Sequence, residues 1–261
     1  MKRYPPALVT AMLCAIVAAT SARGQNPLND TGVATCFNDN GSTGQVEPAT
    51  HPRQDCRIGR DAAAGSSVLY KVGAGSKGFD FTKIANNGAL LAATATLGTA
   101  PTAWACTYDN VTGLMWEVKT GTATDLRYGG NTYSWYETDN AINGGGSGWP
   151  NLGFCSGGIS CDTQSFRNAV NTTALCTHQD WRLPTAQELK TLVDYSVAYN
   201  SGSATIDLLY FPNINPAPFW TASSMAANPA NAAYVYFNGG YTVYNNKSIT
   251  SGVLLVRRGL Q

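Results

Sequence analysis

Charge is the first scarcity. Asp, Glu, Lys and Arg make up 13% of the 261 residues, about half the share of an ordinary soluble domain. Seventeen basic against sixteen acidic side chains leave a formal charge of +1, so no nucleic-acid footprint is present. Histidine is scarcer still. His51 and His178 are the only two, which leaves few ligands for a zinc centre. No stretch reaches the ~20 consecutive apolar residues of a spanning helix, so no membrane span is expected in the mature chain. His-Glu-x-x-His, Gly-x-Ser-x-Gly and a phosphate-binding glycine loop do not occur. Neither does a Gly-X-Y run or a repeat of about 20–50 residues.

What the sequence does have is turns and apolar mass. Twenty-seven glycines and twelve prolines accompany 44% hydrophobic and 10% aromatic residues, enough for a buried core. Residues 1–24 read as a signal peptide: Lys2 and Arg3, an apolar run from Ala7 to Ala19, then small residues with cleavage after Ala22 or Gly24. Removal of Lys2, Arg3 and Arg23 would take the basic count to 14 against 16 acids, a charge near −2. It would also remove Cys14 and leave six cysteines: Cys36, Cys56, Cys106, Cys155, Cys161 and Cys176. An even number in an exported chain points to disulfides. The tight Cys-x-x-Cys spacing of a zinc site is missing.

Residues 25–103 form a loop-rich N-terminal extension with short strand candidates at 67–72 and 78–84, and an undecided Ala/Leu/Thr segment at 89–99. From Trp104 the patterns sharpen. Thr112–Lys119 alternates as a strand, with Leu114 and Trp116 on one face and Met115 on the other. Asn131–Glu137 is a second aromatic strand candidate, and 141–158 a glycine-rich loop. Asp162–Leu175 has helical spacing, and Thr185 with Glu188 forms a capping box before Leu189, Leu192 and Val193. Phe219–Ser223, Ala233–Phe237 and Val253–Val256 read as strands, and Asn238-Gly239-Gly240 as a hairpin turn into Tyr241–Tyr244. Two main helices with late antiparallel strands define an α+β class.

Four separated motifs stand in order: Asp109-Asn110-Val111-Thr112-Gly113-Leu114-Met115-Trp116-Glu117, Asp180-Trp181-Arg182-Leu183-Pro184-Thr185 with Glu188-Leu189, Phe219-Trp220-Thr221-Ala222-Ser223-Ser224, and Val256-Arg257-Arg258-Gly259. Over roughly Trp104 to Gly259 the chain resembles the C-terminal domain of the Legionella collagen-like adhesin, the Lcl C-terminal domain family. The resemblance implies a C-type-lectin-like domain over 104–261 and an exported, surface-associated role. In the namesake it further implies attachment to sulfated glycosaminoglycans and trimer formation. A mature charge near −2 supplies no broad basic face for such a polymer.

On this alignment of motifs, Cys106 lies just before the first and Cys176 just before the second, so these two are expected to pair around one core. Cys155 with Cys161 then clips the glycine-rich loop, and Cys36 with Cys56 joins the N-terminal loops. Leu114, Trp116, Trp181 and Leu183 are expected in the core, and Arg182 on carbonyls or a carboxylate such as Asp109 rather than free as an anion-binding fork. The candidate ligand residues are Tyr234, Tyr236, Tyr241 and Tyr244 on the late hairpin, Trp149 in the glycine-rich loop, and Arg182. Flat rings with hydroxyls suit sugars or protein partners. Calcium ligand triplets of sugar-binding lectins are missing; an oxygen cluster of Asp139, Asn140 and Asn143 is the one alternative. No metal, cofactor or catalytic residue is expected. The reading is an exported, non-enzymatic binding or adhesion protein for glycans or other surface or matrix ligands, secreted, periplasmic or at the cell surface. The alternatives are a secreted enzyme of related fold, either a formylglycine-generating-type oxidase needing a free thiol or a carbohydrate hydrolase, and a structural subunit of a surface assembly.

Overall fold

The computed structural model describes residues 29–260; the expected signal peptide and Cys14 lie outside the described residues. The elements in chain order begin with β1 (Cys36–Asn38), β2 (Gly41–Gly44), α1 (Gly59–Gly65), β3 (Phe81–Ala85), β4 (Leu90–Leu91), β5 (Trp104–Asp109) and β6 (Leu114–Glu117). There follow β7 (Tyr133–Ser134), α2 (Thr163–Thr172), α3 (Ala186–Lys190), β8 (Pro218–Ser224), β9 (Asn231–Tyr236), β10 (Tyr241–Asn246), β11 (Thr250–Ser251) and β12 (Val256–Arg258). The architecture is α+β: short helices against small antiparallel sheets, the largest ordered β12-β6-β5-β3-β4 and the next β10-β9-β8.

The alternation in the first motif decides where the core sits. Leu114 and Trp116 point into one apolar cluster with Leu189, Phe219, Val235 and Phe237, while Met115 points into the other with Trp135, Phe166, Trp181 and Trp220. A strand buried on both faces needs apolar residues at successive positions, and β6 supplies Leu-Met-Trp. Strand β9 repeats the device, with Tyr234 facing the Trp220 cluster and Val235 the Phe219 cluster.

The four motifs lie side by side. Asp109 and Gly113 bracket the β5–β6 turn: the buried Asp109 carboxylate accepts the Val111 and Thr112 N–H groups and the Thr112 hydroxyl (2.9, 3.3 and 2.7 Å), and Gly113 supplies a φ of +71° that a side chain would resist. β6 pairs with β12. Arg182 and Val256 then exchange backbone hydrogen bonds of 3.0 and 2.9 Å, and Ala222 N–H bonds Pro184 O at 2.7 Å. The last contact occurs where β8 bulges between Trp220 and Ser224.

All three disulfides form as expected: Cys36–Cys56, Cys106–Cys176 and Cys155–Cys161. Asp162 caps α2 through Ser165 N–H, and Thr185 with Glu188 makes the reciprocal capping box of α3.

Other expectations need correction. The last strand is Val256–Arg258 rather than Val253–Val256, because the Glu117 carboxylate takes the Leu255 N–H before the ladder begins. The 131–137 segment narrows to two paired residues as its backbone changes partners, Thr132 going to Phe154 and Tyr136 N–H to the Thr163 hydroxyl. Residues 67–72 join no strand; the Asp80 carboxylate takes the N–H groups of Val72 and Gly73. Of 89–99, Leu90–Leu91 pairs with β3 and Leu97 makes a single bridge to Trp104. Strands β3 and β4, N-terminal to position 104, extend the sheet through β5.

Candidate functional site

The hairpin turn builds an aromatic ladder. Gly240 sits at φ +74°, and a Cβ there would stand 2.4 Å from Val193 Cγ1 and 2.6 Å from Tyr195 Cε1. At Gly239 a Cβ would meet the Tyr199 ring at 2.5 Å. The bare backbone therefore lets two tyrosines of the 195–199 segment lie over the turn, and the Tyr195 hydroxyl donates to Gly240 O at 3.0 Å. Register places Tyr241 opposite Tyr236 and Val243 opposite Tyr234, so these share one face.

Five rings follow in sequence from solvent to core. Tyr199 is 69% exposed and 6.2 Å from Tyr241; Tyr241 stacks on Tyr236 at 5.3 Å; Tyr236 is 6.3 Å from Tyr234, which meets buried Trp220 at 5.7 Å. Tyr234 was expected at the surface but is buried, because its face of β9 is covered by the Trp220 cluster. Tyr244, opposite Ala233, lies on the other face of β10 and outside the ladder, though exposed. Tyr195 and Tyr199 were not read from the sequence as site residues; the Gly-Gly pair in the turn was the signal that rings could cover it.

Trp149 is exposed and belongs to a different surface. Its N–H bonds Trp135 O, and 148–154 runs beside β7 with Leu152 and Phe154 also exposed. Arg182 is a carboxylate fork, but on Glu188 rather than Asp109: Nη1 and Nη2 donate at 2.8 and 2.7 Å, and Nη1 also reaches Leu183 O. The Glu188 hydrogen bonds raise the Arg182 pKa. Burial works against the Glu188 carboxylate, yet Arg182 and Thr185 hold its pKa below the usual range.

Asp139, Asn140 and Asn143 do not assemble an oxygen cage. Asp139 accepts Ala141 N–H, Asn143 Nδ2 donates to Asn140, and Asn143 Oδ1 accepts Gly145 N–H. The cation of this loop is a side chain. Lys247, fully buried, donates to the carbonyls of Asn143 and Gly146 at 2.9 and 2.6 Å and stands 3.8 Å from the Trp135 ring centroid. Burial lowers its pKa to about 8.

Elsewhere, Asp30, Asp55 and Asp61 bring carboxylate oxygens within 4.8 Å of one another, the one such group among the described residues. Their oxygens staple the N-terminal loops, Asp61 accepting Gly32 and Gly78 N–H at 2.6 and 2.7 Å and Asp30 the Asp61 N–H. Burial, with Asp30 beside them, raises the Asp55 and Asp61 pKa values.

Fold and surface together define a disulfide-stapled α+β protein with an aromatic hairpin face. The chain belongs to the Lcl C-terminal domain family, whose profile matches residues 105–257, a span containing three of the four motifs whole and all of the fourth but its last two residues. No curated protein and no solved structure matches the chain.

Proposed function

We propose that this is an exported, non-enzymatic binding protein with a C-type-lectin-like scaffold, which adheres to glycans through the Tyr199–Tyr241–Tyr236 end of the ladder. The supporting observation is the ladder itself: exposed rings held in fixed order by packing and a glycine turn, so little side-chain entropy is lost when a ligand lies on them. The three disulfides suit an oxidising compartment. All six described cysteines are paired, which leaves the oxidase alternative no thiol among them. The exposed row Trp149, Leu152 and Phe154 favours a second reading, a subunit of a surface assembly.

The test is a glycan array probed with the mature protein and with Tyr199→Ala and Tyr241→Ala, at low and high salt. Each truncation is expected to weaken the strongest signals by about tenfold, with little salt dependence where the glycan is neutral and lies on the rings. A silent array, or variants that bind like the wild type, overturns the reading.

A further inference from the structure

A cavity of about 230 Å3 opens where the Asp180–Pro184 segment, α2, the β8 bulge and the loop after β7 meet. Its apolar wall includes Trp135, Leu183 and Ala222. Trp135 is fixed from outside the cavity: its Nε1 donates to Thr221 O at 2.8 Å and the Lys247 ammonium lies over its ring. Ile142, 54% exposed, is also part of the lining. The charged groups come as two guanidinium–carboxylate pairs, Arg167 with Glu137 and Arg182 with Glu188 just outside the lining; Tyr136, Thr163 and Thr185 also line the space.

Three features limit what fits. The space of about 230 Å3 suits one six-membered ring with short substituents. The Thr163 and Thr185 hydroxyls are already hydrogen-bonded, to Tyr136 O and Glu188, so what is buried against Trp135, Leu183 and Ala222 must be apolar. Each arginine has its own carboxylate, so the four charges sum to zero and a net anion or cation finds no counter-charge. The pairs nonetheless offer donors and acceptors side by side. Arg182 Nε, and Nη2 of Arg167, hold no hydrogen bond among the described residues.

A methyl joined to an amide meets all three conditions. We propose that this cavity binds a single N-acetylhexosamine residue of a glycan, with the acetyl methyl against Trp135, Leu183 and Ala222, and the amide and ring hydroxyls on the Arg–Glu pairs. The inference rests on the reading of the chain as a glycan binder, but it assigns a site apart from the tyrosine ladder.

The test is titration of the mature protein with N-acetylglucosamine and N-acetylgalactosamine, followed by NMR at the Trp135 indole. Glucose, galactose, glucosamine and glucuronic acid serve as comparisons. Saturable binding of an acetylated sugar is expected, with each unacetylated, cationic or anionic sugar weaker by about tenfold or more. Ala222→Leu, which fills the cavity, and Ile142→Asp, which charges it from an exposed position, should each lower that affinity by about tenfold, while Tyr241→Ala leaves it unchanged. The proposal is overturned by absence of binding, by equal binding of acetylated and plain sugars, by preference for glucuronic acid, or by binding indifferent to Ile142→Asp. A positive array abolished by Tyr241→Ala, together with a silent cavity, would sink this proposal and leave the ladder standing.

Discussion

Replacing Lys247 by methionine separates the charge of the loop from its packing. The side chain is fully buried, and no carboxylate among the described residues pairs with it. Its partners are two carbonyls and the Trp135 face. The pKa near 8 says that these do not fully replace lost hydration. The folded pKa is depressed below the ordinary 10.5, so the unfolded chain binds more protons between those values and wild-type stability rises with pH through the window. From pH 7 to pH 10 the gain from this one group is about 2–3 kcal/mol. Methionine keeps most of the volume but strands two carbonyls, at ~1–3 kcal/mol each. At pH 10 the variant should therefore be about 4 kcal/mol less stable, and at pH 7, where the wild type also bears the charge penalty, only about 1–2 kcal/mol. Urea denaturation of both proteins at the two pH values measures the difference. Other lysines and tyrosines titrate in both proteins and cancel in the comparison. A wild-type-minus-variant difference that stays flat from pH 7 to 10 refutes the reasoning, as does a variant as stable as the wild type at pH 10.

Two further outcomes follow from the geometry. Replacing both Cys106 and Cys176 by serine removes a crosslink spanning 70 residues, and replacing Cys155 and Cys161 one spanning 6; loop-closure entropy makes these worth about 4 and about 2 kcal/mol, so thermal unfolding should rank the pairs in that order. Glu188→Gln breaks the bidentate ion pair with Arg182 but keeps an amide oxygen for the Thr185 N–H of the capping box, for about 1–2 kcal/mol at neutral pH. Because the Glu188 pKa is depressed, that stabilisation is present above the ordinary carboxylate value and is lost as pH falls through the folded one; melting temperatures of the two proteins should converge as the pH is taken below the ordinary carboxylate range.

How much of this was legible depends on the range of the interaction. The Leu114/Met115/Trp116 alternation gave both cores because side-chain direction in a strand is a local property with period two. The capping box at Thr185 and Glu188 is likewise written within four positions, and the turn at Gly239-Gly240 within two. Disulfide pairing was readable because motif order put Cys106 and Cys176 beside segments that had to meet. What escaped is what a residue does for a distant partner. Glu188 was visible as a capping residue, but its grip on Arg182 was not. Strand ends were misjudged at Leu255 and Tyr136 because a carboxylate and a hydroxyl took backbone N–H groups that alternation alone assigns to a ladder.

Lys247 shows why the loop chemistry in particular could not be read. In Asn245-Asn246-Lys247-Ser248 every neighbour is polar, and a lysine in such a run belongs in water by composition. Its burial follows from the loop some hundred residues earlier, where Asn143 and Gly146 turn carbonyls inward and Trp135 supplies a ring face. The sequence offered calcium on the Asp139, Asn140 and Asn143 side chains as the alternative, whereas the cation this loop holds is the Lys247 ammonium, on the backbone carbonyls of Asn143 and Gly146. A tethered ammonium meets the same electrostatic need with no ion to gain or lose, so this loop should hold its shape in the presence of a chelator. It also fixes the Trp135 ring that walls the neighbouring cavity, and so links a fully buried charge to the pocket where a ligand is proposed to sit.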